Sequence, residues 1–105
     1  MYIEVVDMSK KLSFPPVINR ALDALGQENR RKIISLVMSN KDISFSDLSS
    51  ELGMNSSTLN FHLKELMKAS LIDNHYAKTK NPGRKYSYYK VTSFGEDLCK
   101  SLGIK

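Results

Sequence analysis

Ser57, Asn60, Phe61, Lys64 and Lys68 fall on one side of a helical repeat, opposite the stripe formed by Leu59, Leu63 and Leu66. Hydroxyls, an amide and ammonium groups, with Ser56 and Thr58 beside them, are the chemistry that meets base edges and phosphates. Phe61 sits in the middle of this polar side, where a solvated helix gains nothing from it. Two readings follow: the ring packs on an aromatic residue from a downstream hairpin, or it meets thymine methyl groups in a groove.

A second set of charges lies further along. Lys78, Lys80, Arg84, Lys85 and Lys90 occur with no acidic residue from 78 to 90, interleaved with tyrosines. Such a stretch suits the phosphates or the minor groove of a nucleic acid, against the plainer reading of solvated lysines on a hairpin. A third set, Arg30, Arg31 and Lys32, opens a helix where the backbone dipole disfavours cations. It either faces something negative or forms a solvated face paired with Glu28 or Asp23.

Catalytic and metal chemistry find no comparable support. The chain has no glycine-rich phosphate loop, no cluster of metal ligands and no Ser–His or Cys–His arrangement, so an enzyme is not expected. His62 and His75 stand apart, without cysteine or carboxylate at ligand spacing. His62 borders the leucine stripe and is expected to be a hydrogen-bonded structural residue or a phosphate contact. Cys99, the single cysteine, reads as a small buried apolar residue rather than a redox switch. No cofactor is expected.

The elements that must position these residues follow from periodicity and capping. Ser44 can cap a short helix with Asp47 in capping-box position, Leu48 and Leu52 on one face, and Gly53 at its end. Asn55 or Ser56 can cap the next helix, which carries the leucine stripe. Helix, glycine turn, helix is the helix-turn-helix unit, whose second helix can enter a major groove. Upstream, Pro15-Pro16 starts a helix with Val17, Ile18, Ala21, Leu22 and Leu25 apolar, closed by Gly26. A second helix runs from near Glu28 to about Met38. Downstream, residues 71–78 and 85–91 are rich in Tyr, Ile and Val and read as strands flanking TKNPGR, a β-hairpin. Thr92 can cap a last helix bearing Phe94, Leu98 and Leu102. Residues 1–14 are an N-terminal extension, and 15–105 form one domain.

Charge locates the partner. Residues 1–55 hold seven Lys/Arg against seven Asp/Glu, whereas 56–105 hold nine against four, which is the whole net charge of +5. The basic half contains the polar helix and hairpin, and it points to a polyanion. No apolar run is long enough to span a membrane, and the opening residues lack the order of a secretory signal, so a cytoplasmic location is expected.

The order helix, helix, helix-turn-helix, hairpin, helix resembles the winged helix-turn-helix regulators of the ArsR type over roughly residues 18–102. LGQENRRKIISLV (Leu25 to Val37), DLSSELGMNSSTLNFHLKEL (Asp47 to Leu66), KASLI (Lys68 to Ile72) and YYKVTSFGEDL (Tyr88 to Leu98) carry the likeness. The resemblance implies a mainly α fold with a β-hairpin wing (α+β), a recognition helix holding Ser57, Thr58, His62 and Leu63, and outer helices that make a dimer. It also implies that the arginine around Arg31 opens the second helix. Where metal-sensing members carry paired cysteines, this chain reads Ile43-Ser44-Phe45-Ser46-Asp47-Leu48, and its last helix lacks the ligands of the other family site, so metal sensing is not expected.

The resulting expectation is a homodimeric transcriptional regulator binding double-stranded DNA specifically at an imperfect palindrome. Its DNA-binding residues would be Ser56, Ser57, Thr58, Asn60, Phe61, His62, Lys64 and Lys68 on the recognition helix, Lys78, Lys80, Arg84 and Lys85 on the hairpin, and Arg31. The alternative is a winged-helix module that binds protein, or DNA without sequence preference. No small-molecule effector is assigned.

Overall fold

The computed structural model describes residues 15–78 and 85–104. Among these residues, five helices and a three-stranded antiparallel sheet follow in the order α1 (Pro16–Leu25), α2 (Glu28–Asn40), β1 (Ile43–Ser44), α3 (Phe45–Leu52), α4 (Ser56–Lys68), β2 (Ile72–Lys78), β3 (Lys85–Val91) and α5 (Ser93–Leu102). The sheet order is β1-β3-β2.

Local chemistry sets the boundaries. The Ser44 side chain accepts the Asp47 N–H at the start of α3, Asn55 accepts that of Thr58 for α4, and Thr92 accepts that of Gly95 for α5. Each satisfies an N–H that no helical carbonyl can reach. Gly53 ends α3 at φ 64°, a left-handed conformation that costs glycine little. The turn to α4 is then pinned by the Ser49 hydroxyl, which donates to the Met54 carbonyl at 2.7 Å. At the end of α4, the Leu71 N–H donates to the Leu66 carbonyl at 3.0 Å and that of Ser70 to Met67 at 2.9 Å. This is a Schellman closure with Leu66 and Leu71 both fully buried, and Ser70 takes the positive φ in place of a glycine.

One core joins every helix to the sheet. Ala21 from α1, Ile33, Ile34 and Val37 from α2, Leu48 from α3, Leu59, Leu63 and Leu66 from α4, and Cys99 from α5 all have no exposed area. At about 1.5–3 kcal/mol per large apolar side chain, this burial fixes the leucine stripe of α4 inward and leaves its other side no choice but outward.

Two features depart from the sequence expectation. Helix α2 continues to Asn40 rather than ending near Met38. The sheet also has a third strand, β1, in which Ile43 pairs with Tyr89 and Ser44 with Tyr88. Two residues are too short a strand to show a period, so only the long-range pairing with β3 reveals it. Between β2 and β3 the register runs from Ile72↔Val91 to Lys78↔Lys85, the two runs read as strands. Among the described residues, no helix is long and apolar enough to cross a membrane.

Candidate nucleic-acid interface

Helix α4 divides cleanly into two sides. Leu59, Leu63 and Leu66 are fully buried, whereas Ser56, Ser57, Thr58, Asn60, Phe61, Lys64 and Lys68 are exposed. The hydroxyls and amide of the first two turns and the ammonium groups of the last two thus form one continuous solvated surface. Lys68 is held toward Glu65 at 3.3 Å, an exposed pair of the kind that contributes little to stability.

Two of the expected site residues are placed differently. His62 is only 7% exposed and turned into the protein, where its Nδ1 accepts a hydrogen bond from Arg30 Nε at 3.2 Å. Of the two roles expected for it, the hydrogen-bonded structural one is observed, and the direct contact with a ligand is not available to a ring so placed. Burial, and after it the Arg30 charge, lowers the His62 pKa, so the ring is held neutral. Arg31 is half-buried. Its Nη1 donates to the Leu25 carbonyl at 2.8 Å, satisfying one of the free carbonyls at the end of α1.

Phe61 is 55% exposed. Among the described residues, the ring meets His62 edge-on with centroids 5.6 Å apart, and the Arg30 guanidinium lies 5.6 Å from its centroid. Arg30 therefore reaches from α2 to two consecutive residues of α4. Sequence reasoning grouped Arg30 with its neighbours as one cationic cluster, but the three part ways. Arg30 is 7% exposed, Arg31 caps α1, and Lys32 lies 3.8 Å from Glu28 in an exposed pair. The only signal in the sequence was the unfavourable position of a cation in the first turn of α2.

Of the hairpin cations, Lys80 and Arg84 lie outside the described residues, and the same holds for the side chains of Lys78 and Lys85. Lys90 is exposed on β3. His75 has a carboxylate partner that its sequence neighbourhood does not suggest: Nε2 lies 3.3 Å from Asp42 Oδ2 in the turn before β1. Cys99 is fully buried, and burial pushes its thiol pKa up, away from the reactive thiolate.

Residues 27–73, which hold α2, β1, α3, α4 and the start of the hairpin, match the family model described as winged helix-turn-helix DNA-binding. The fold is a winged helix-turn-helix. Its solved neighbours include a homodimeric winged helix-turn-helix DNA-binding domain of Mycobacterium bovis, a possible ArsR-family transcriptional regulator. That structure is 18% identical, covers 99% of this chain and 88% of its own, and has a TM-score of 0.72. Reduced HlyU from Vibrio cholerae is 21% identical over 91% of this chain and 93% of its own, with a TM-score of 0.70. A PadR family transcription regulator from Clostridium difficile is 19% identical over 70% and 82%, with a TM-score of 0.59. No curated protein sequence matches the chain. At these identities the likeness is one of fold, and it spans neighbours of both ArsR and PadR description. Within that fold α4 occupies the position of the second helix of the helix-turn-helix and β2–β3 that of the wing.

Proposed function

We propose that this winged helix-turn-helix protein binds double-stranded DNA sequence-specifically as a homodimer and regulates transcription. The observation that carries this reading is the open side of α4, where Ser56, Ser57, Thr58, Asn60, Phe61 and Lys64 are exposed while its leucines are fully buried. A helix with its side chains is about 10–12 Å across and the major groove is about 12 Å wide, so α4 can lie in the groove with that side against the bases. Asn60 supplies the donor–acceptor pair that matches adenine. The hydroxyls of Ser56, Ser57 and Thr58 and the Lys64 ammonium reach base edges and adjacent phosphates, and Phe61 offers an apolar surface to thymine methyls. Lys78, Lys80, Arg84 and Lys85 on the wing hold phosphates or the flanking minor groove. Two recognition helices related by a two-fold axis enter successive grooves about 34 Å apart, which makes the operator an imperfect palindrome.

Selection of bound duplexes from a random pool tests the whole reading, since it returns the sequence, its symmetry and its half-site spacing together. The selected duplex should outcompete random duplex by about 10³-fold or more, and Asn60→Ala should lower that ratio. A wild-type ratio near one would favour a non-specific architectural role. Absence of duplex binding would leave a protein-binding module.

A further inference from the structure

Arg30 is a nearly buried guanidinium that makes no ion pair among the described residues. It is 7% exposed, and among the described residues its only hydrogen bond is the one that Nε donates to His62. One of its five N–H donors is therefore used, by the His62 ring, and the guanidinium carbon lies 5.6 Å from the Phe61 ring centroid. Desolvating a cation without an anionic partner is costly, so such an arginine is expected where a counter-charge arrives from outside.

The space beside it has the shape for one. Arg30 lines a cleft of about 480 Å3 between α1, the start of α2 and the end of α4, together with Arg20, Asp23, Ala24, Glu65 and Lys68. Three cations against two carboxylates leave the cleft one positive charge in excess. Lys68 belongs both to this cleft and to the open side of α4, and Arg30 touches Phe61 on that side. The cleft thus runs along the edge of the surface assigned to the bases.

We infer that this cleft is a phosphodiester site: it seats one backbone phosphate of the bound duplex in each half-site, with the free amino groups of Arg30 as the central donors and Arg20 and Lys68 at the rim. The inference rests on the DNA-binding reading above and specifies where the backbone is gripped on the α1–α2 side of the recognition helix. A non-bridging pair of phosphate oxygens matches the planar fork of a guanidinium, which Lys cannot reproduce. The His62 bond and the Phe61 ring fix the fork's plane before DNA arrives, so little side-chain freedom is lost on binding.

The test uses the full chain and the duplex obtained by selection, with single phosphates replaced in turn by uncharged methylphosphonates. One position per half-site should weaken wild-type binding roughly tenfold or more, as expected for loss of a charge-assisted pair. The same replacement should have no effect on Arg30→Gln, and a smaller effect on Arg20→Ala than on the wild type. Arg20→Ala should also lower the slope of log K against log salt by about one. Because Arg20 is exposed, its variant keeps the test decisive should Arg30→Gln not fold. Normal binding in which neither variant masks any phosphate would overturn the site while leaving the DNA reading intact. Failure of the wild-type protein to bind any duplex would overturn both.

Discussion

The surroundings of His62 disfavour its protonated form, and this has a measurable result. Burial first, and the Arg30 charge second, lower its pKa from the ordinary 6.5. The unfolded chain therefore binds the proton more readily than the folded one. The sign follows: the contribution is complete above pH 6.5 and is lost as pH falls from there through the lower folded value. A protonated Nδ1 could no longer accept the Arg30 N–H, which removes the link between α2 and α4 at the same time. Thermal unfolding followed from pH 7.5 to pH 5 should show a falling midpoint, and His62→Gln should flatten that fall; an equally steep profile in the variant would dismiss the role. A hydrogen-bonded role for His62 could be read from its place beside the leucine stripe, but not its partner. The amide and hydroxyl side of α4 was legible because it depends on a local period. The burial of Arg30 depends on a partner 32 positions away, and no local pattern reports such a contact.

The elements themselves were largely written locally. Ser44, Asn55 and Thr92 all cap the helices they precede, because a cap is a bond between residues three apart. Strand β1 was not legible, for the reason given by its two-residue length. Gly95 lies between these cases. It follows Thr92 in the first turn of α5, and on sequence alone a helical glycine looks like a defect that alanine would repair by about 1 kcal/mol. The fold reverses that sign. A Cβ on Gly95 would collide with the Leu71 carbonyl and press on the Val91 side chain, and that carbonyl is itself held by the Thr92 N–H. Gly95→Ala should lower the free energy of unfolding by about 1–3 kcal/mol, the usual penalty of overpacking. Chemical denaturation decides the matter, and an unchanged or raised midpoint would show that α5 sits further from the α4–β2 junction.

For the molecule as a whole, the proposed homodimer assigns the assembly to the outer helices. Val17 on α1 and Leu102 on α5 keep 47% and 48% of their area exposed, large values for aliphatic residues. In the proposed homodimer these positions meet a second copy. Leu102→Glu should convert a dimer to a monomer in sedimentation and weaken binding to a two-half-site duplex on the order of 10²-fold by loss of linked binding. A monomeric wild-type protein would remove the palindrome from the proposal. The uneven distribution of charge along the chain pointed to the half that carries α4 and the wing, whereas the cleft near Arg30 draws on both halves and so left no such trace. One small feature bears on how these scales meet. The Thr92 hydroxyl donates to the Ser70 carbonyl at 2.7 Å, and the Thr92 N–H donates to the Leu71 carbonyl at 3.0 Å. A single threonine therefore bolts the root of α5 to the tail of α4. A displacement of α5 would have to break from the two carbonyls that follow α4 or carry them with it, which ties the footing of the outer helix to that of its neighbour.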